Sequence, residues 1–235
     1  MKVVILCGGK GTRLGGWGDD VPKPLLRVGP QPLLWHIMQI YAASGFCDFV
    51  LCLGHLQERF HEYFAGDVPG SAGWNVELVD TGLDTPTGGR IARIEPFVRG
   101  KPFFATYGDG VADIDLRDLQ AFHQAHGRVA TVTLVRPVSG FGIAELAEDG
   151  SVIGFREKPR MRDWVNGGFF VFGPDAFQYV TDDSVLEREP LERLAADRQL
   201  MAYRHDRFWT CMDTYKDNLT LNEEWERGHA PWRVW

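Results

Sequence analysis

The residues best suited to chemistry begin at the N-terminus. Residues 8–14 read Gly8-Gly9-Lys10-Gly11-Thr12-Arg13-Leu14, and Pro22-Lys23-Pro24 follows. Glycines after a strand let the backbone approach a phosphate closely. The N–H groups of such a loop can form a nest for anionic oxygens, and Arg13 and Lys23 add charge-assisted bonds. The loop is not a Walker A, which needs G-K-[ST] at another spacing, and Leu14 stands where the third glycine of G-x-G-x-x-G would fall. Taken alone, the stretch is also compatible with a Gly-rich turn carrying two surface cations.

Four further groups carry polar residues at the ends of apolar runs. Tyr107-Gly108-Asp109-Gly110 ends a strand, where a carboxylate can hold Mg2+ against phosphate oxygens. Asp113 and Asp115 lie nearby, but only Asp109 has glycine on both sides. Glu157-Lys158-Pro159 presents an anion and a cation at a turn, or else an exposed ion pair of little energetic weight. Asn166-Gly167-Gly168 suits polar recognition by side chain and backbone, and equally a hairpin turn. Asp213 follows the aromatic run Phe208-Trp209 and is either a second Mg2+ ligand or a helix N-cap.

Elements must hold these groups. Lys2-Val3-Val4-Ile5-Leu6-Cys7, Phe49-Val50-Leu51-Cys52-Leu53, Val76-Glu77-Leu78-Val79 and Pro102-Phe103-Phe104-Ala105-Thr106 read as strands, and residues 130–135 as another. Between them, residues 34–41, 56–64 and 116–125 show helical spacing. This alternation predicts an α/β fold: a three-layer, mostly parallel, Rossmann-like sheet with helices on both faces and ligands at the carboxyl ends of the strands. The last third is less regular. A hairpin around Asp149-Gly150, a strand over 167–172 and a helix over 191–196 suggest a small β-rich extension. No repeat or linker divides the 235 residues, so a single domain over 1–235 is expected.

Composition narrows the function. The net charge is -7 and no basic stripe is visible, which argues against a nucleic-acid partner. The N-terminal apolar run is too short for a signal peptide, and no stretch reaches membrane-spanning length. Four cysteines without a C-x-x-C pair read as reduced thiols, as in the cytoplasm.

Taken in order, GGKGTRL, PKPLL, VDTG…TGGR, YGDGVAD, FREKP, NGGFFVF and FWTCMDT resemble the sugar-phosphate nucleotidyltransferases, and the glucose-1-phosphate cytidylyltransferase branch among them. Trp35-His36-Ile37-Met38, Glu189-Pro190-Leu191 and Ala230-Pro231-Trp232 share the resemblance although they suggest no chemistry. It implies the nucleotidyltransferase fold and transfer of a nucleoside monophosphate from an NTP to a sugar 1-phosphate, releasing pyrophosphate. It assigns Gly8, Gly9, Gly11, Thr12, Arg13, Thr87, Gly88, Gly89, Arg90 and Gly108 to the nucleotide. Arg13, Lys23 and Asp109 become catalytic, and Asp109 and Asp213 the Mg2+ ligands. Glu157, Lys158, Asn166 and Gly167 are assigned to the sugar phosphate. CTP, glucose 1-phosphate and a homo-oligomer are implied as partners. The segment 65–73 is shorter than in that branch, so GTP, UTP or another base with a different sugar 1-phosphate is the alternative. A silent nucleotide-sugar sensor, and a glycosyltransferase using Asp113-Ile114-Asp115, are the readings of another class.

Overall fold

The computed structural model describes residues 1–11 and 20–235. In chain order the strands are β1 (Val3–Leu6), β2 (Arg27–Val28), β3 (Gln31–Pro32), β4 (Asp48–Leu53), β5 (Asn75–Asp80), β6 (Phe103–Tyr107) and β7 (Gly110–Ala112). They continue as β8 (Ala130–Val135), β9 (Ile143–Leu146), β10 (Val152–Arg156), β11 (Val165–Phe172), β12 (Leu200–His205) and β13 (Trp209–Cys211). The α-helices are α1 (Leu33–Ala43), α2 (Gln57–Ala65), α3 (Thr87–Arg93), α4 (Glu95–Val98), α5 (Leu116–His126), α6 (Glu189–Ala196) and α7 (Tyr215–Glu226).

Seven strands form the central sheet in the order β12-β8-β11-β6-β1-β4-β5. The central strands are unbroken apolar runs because both faces are covered. Val3 and Ile5 point into one core, with Ile37 of α1, Leu119 of α5 and Leu221 of α7. Val4 points into the other, with Ile91 of α3, Val98 of α4 and Leu194 of α6. Helices therefore cover both faces, as the alternation predicts. β1 pairs in parallel with β4 and β6, β4 with β5, and β8 with β12. β11 runs antiparallel to both β6 and β8. The chain reaches β11 through the antiparallel β9–β10 hairpin rather than a crossover helix, and a parallel neighbour would need such a crossover.

The final third is more regular than its sequence pattern. β12 is an edge strand, so its apolar alternation is weak. α7 carries a capping box, Thr214 with Asp217, but buries little beyond Asn218 and Leu221. Asp115 caps α5 by accepting from the N–H groups of Arg117 and Asp118, and Asp113 lies against His205 and Arg207. The Asp113-Ile114-Asp115 pattern is thus taken up by local structure.

The aromatic tail folds back on its own core. Trp232 is fully buried, and Trp225, Trp232 and Trp235 all pack around His36. Gly29, at φ +60°, has the Trp225 ring 2.3 Å from where a Cβ would stand, so only glycine fits there. His36 Nε2 donates to the Val28 carbonyl at 2.8 Å, and its Nδ1 accepts from the Trp232 indole at 3.3 Å. Both bonds suit the neutral ring. Among the described residues, no helix is long and apolar enough to cross a membrane.

Burial pushes the His36 pKa down to about 4, and Arg233 adds to the shift. His123, behind the sheet with its Nδ1 on Thr131 Oγ1, is lowered to about 4 by burial as well. Between pH 6.5 and 4 the unfolded chain therefore binds more protons than the folded one, so stability falls as pH falls through that window. The part from His36 alone is on the order of 3 kcal/mol below pH 4. Urea midpoints measured from pH 7.5 to 4.5 should fall, and the slope should be shallower in His36→Gln. A variant as pH-sensitive as wild type would refute the role of His36.

Candidate active site

A cavity of about 650 Å³ opens at the carboxyl ends of β1 and β6. Its floor is the turn after β1. The Gly8 carbonyl accepts from His55 N at 3.2 Å and from Arg90 Nη2 at 2.9 Å. A Cβ at Gly8 would stand 2.1 Å from the Arg90 guanidinium, whereas Gly9 faces open space. Gly11 takes φ +61° and, like Gly8 and Gly9, lines the cavity. Thr12 and Arg13 lie outside the described residues.

Arg90 is only 4% exposed and also donates to the carbonyls of Leu53 and Gly82 and to Thr81 Oγ1. It ties together the ends of β1, β4 and β5. All these acceptors are neutral, and among the described residues Arg90 forms no ion pair. A buried cation held by neutral dipoles keeps the cavity floor electropositive, which favours an anionic occupant.

Lys23 stands opposite, on a 3-10 turn over Lys23–Leu25. Its ammonium lies 2.7 Å from Asp109 Oδ2 and 2.7 Å from Asp213 Oδ1, with 10% of the side chain exposed. Burial alone would lower the Lys23 pKa. The attraction and hydrogen bond of Asp109, then those of Asp213, outweigh it and raise the value, so the ammonium is charged. The two carboxylates come from distant sequence. Asp109 follows β6, and the antiparallel pair β7–β13 carries Asp213 to it, closed by Met212 N donating to the Asp109 carbonyl at 2.9 Å. Gly108 lets the turn approach, since a Cβ there would meet Pro24 at 2.8 Å. The Cys211 thiol, pushed up to about 12 by burial and then by Asp213 and Asp109, remains a thiol at the cavity wall.

Two carboxylates closing on one cation fit a divalent ion as well as an ammonium. Among the described residues, no group of three or more His, Cys, Asp or Glu is placed to enclose a metal. That donor set suits Mg2+, which is commonly held by one or two carboxylates and takes its remaining oxygens from water and phosphate.

The other expected residues divide. Asn166 and Gly167 line the cavity at a bulge in β11, where Gly168 turns to φ +73°. Asn166 Oδ1 accepts from Gly168 N at 2.9 Å, and its Nδ2 donates to the Tyr107 hydroxyl at 3.1 Å. The Gly167 carbonyl is taken by the Trp209 indole at 2.8 Å. Thr87 lines the cavity, but Gly88 and Gly89 do not. Their backbones pack on the loop before α6: a Cβ would stand 2.6 Å from the Ser184 carbonyl oxygen or 2.1 Å from that of Asp182. Glu157 and Lys158 are absent from the cavity wall. They follow β10 on the exposed hairpin, 3.9 Å apart.

Sequence reasoning passed over Glu187 and gave no role to Tyr107 or Trp209, which also line the cavity. No glycine or strand end marks Glu187. It stands just before α6 and reads as one more acid at a helix start.

The pattern of the family described as Nucleotidyl transferase matches residues 2–218. The "Probable glucose-1-phosphate cytidylyltransferase" of Bacillus subtilis (strain 168) is 42% identical over 255 aligned positions, covering 100% of both chains. The glucose-1-phosphate cytidylyltransferase of Salmonella typhi is 41% identical, again over 100% of both. Among solved structures, HddC from Yersinia pseudotuberculosis, complexed with GMP-PN, superposes with a TM-score of 0.75 at 21% identity, covering 95% of this chain and 99% of its own. That likeness bears on the fold alone. By the span of the family match and the identity over the full chain, this protein belongs to the nucleotidyl transferase family.

Proposed function

We propose that the protein transfers CMP from CTP to glucose 1-phosphate, giving CDP-glucose and pyrophosphate, with Mg2+. The observation that carries the chemistry is the Lys23 ammonium clasped by Asp109 and Asp213 across a cavity from the Gly8–Gly9 turn. The choice of CTP and glucose 1-phosphate is supported by full-length identity of 41–42% to glucose-1-phosphate cytidylyltransferases.

In this reading a phosphate oxygen of the sugar 1-phosphate attacks the α-phosphorus. The bond from that phosphorus to the β-bridging oxygen breaks, and pyrophosphate carries away the electron pair. The nucleophile is already an anion, so no general base is required. The barrier lies in bringing anions together and in the charge on the leaving group, which positioning and electrostatics lower. The turn at Gly8, Gly9 and Gly11 holds phosphate oxygens over the positive floor made by Arg90, and Lys23 neutralises charge as it is transferred. Asp109 and Asp213 would hold the Mg2+, which would neutralise negative charge on the phosphates. Asn166 and Gly167 face the sugar. Thr12 and Arg13 on the nucleotide, and Glu157 and Lys158 on the sugar phosphate, rest on the family resemblance. A homo-oligomer in the cytoplasm belongs to the same reading.

Two experiments test the reading. Pyrophosphate release should be greatest with CTP and glucose 1-phosphate in a panel of four NTPs and several sugar 1-phosphates. A panel in which CTP ranks no higher than the others removes the cytidylyltransferase assignment and leaves the reaction class. Asp109→Asn and Asp213→Asn should each lower kcat by about 100-fold or more. The double variant should lose less than the product of the two, because both would hold one ion. Strict multiplicativity would argue against a shared metal.

A further inference from the structure

Among the described residues, Glu187 is the one carboxylate of the cavity wall outside the Asp109–Asp213 pair. Its position is built with care. The loop before α6 is clamped on α3, with Gly89 N donating to the Ser184 carbonyl at 3.1 Å and Leu186 N to Thr87 Oγ1 at 2.9 Å. This packing is what denies Gly88 and Gly89 a side chain. The Glu187 carboxylate then accepts from Tyr107 Oη at 2.6 Å on one oxygen and from Thr87 Oγ1 at 2.7 Å on the other.

The chain of bonds fixes what the patch offers a ligand. Tyr107 gives its only proton to Glu187, and its oxygen accepts from Asn166 Nδ2. The Asn166 amide is oriented in turn by Gly168 N. What remains facing the cavity is the unused acceptor capacity of Glu187, a lone pair on Tyr107 and one N–H of Asn166. A carboxylate repels phosphate, so no phosphate belongs here. A neutral group rich in hydroxyls, each able to donate and accept, matches a patch of adjoining acceptors and one donor.

We propose that Glu187 is a sugar-recognition residue: its carboxylate accepts a hydrogen bond from a ring hydroxyl of the sugar 1-phosphate, and its charge turns the phosphate end away, toward Lys23. This rests on the reaction proposed above. The sugar would then be oriented end to end, with a ring hydroxyl at Glu187 and its phosphate toward Lys23. The amine of a nucleobase is the competing donor, and the test separates the two.

The experiment measures kcat/KM for glucose 1-phosphate and its 2-, 3-, 4- and 6-deoxy analogues, in wild type, Glu187→Ala and Glu187→Gln, with circular dichroism as the folding check. At least one deoxy analogue should be about tenfold or more worse than glucose 1-phosphate for wild type, the size of a bond to a charged acceptor. That penalty should vanish in Glu187→Ala, and KM for CTP should move less than twofold. Glu187→Gln serves if the alanine variant fails to fold. A deoxy penalty that persists in full, or a KM increase confined to CTP, overturns the proposal. Should wild type turn over no sugar phosphate, the reaction reading falls, and the same comparison is made by calorimetric binding of the sugar 1-phosphates. Loss of the deoxy penalty in the variant's affinity then supports Glu187, and an unchanged penalty or no binding overturns it.

Discussion

Two carboxylates cannot share a half-buried space without a cation between them. Asp109 and Asp213 both line the cavity, and among the described residues the ammonium of Lys23 lies 2.7 Å from each. Much of the local architecture follows from this requirement. The β7–β13 ribbon delivers one carboxylate to the other, and Gly108 opens the space through which the Pro22-Lys23-Pro24 turn approaches.

The glycines of the site serve two separate physical needs. Gly9 and Gly11 line the cavity, and beside Gly9 the space is open. Gly8, Gly88, Gly89 and Gly108 instead admit a neighbour: a guanidinium, a loop carbonyl or a proline ring. Arg90 is the link between the two kinds. It occupies the space that Gly8 leaves, fixes the end of β1, and places a positive charge beneath the turn that has no paired anion among the described residues.

Much of this was legible in the sequence. The parallel strands were readable as unbroken apolar runs because both faces are buried, and Asp109 was readable because glycines flank it at a strand end. The reversal of β11 was not, because direction follows from the connection rather than from the strand's own residues. Gly88 and Gly89 were assigned to the nucleotide by resemblance, and the residue type alone does not reveal the loop carbonyls of Ser184 and Asp182 that lie against them. Glu187 was invisible for a related reason: its position depends on a loop clamped to α3, with Thr87 and Glu187 100 residues apart in sequence. Glu157 and Lys158 were named by resemblance, and the structure sets them on an exposed hairpin apart from the cavity wall.

The central claim is that the space between Asp109 and Asp213 is a cation site held by Lys23 until a metal takes it. Mn2+ binding to the nucleotide-free protein, followed by electron paramagnetic resonance, tests it most directly. Lys23→Met should bind Mn2+ more tightly than wild type, and adding Asp109→Asn should abolish the gain. A Lys23→Met protein that binds Mn2+ no better than wild type would contradict the account.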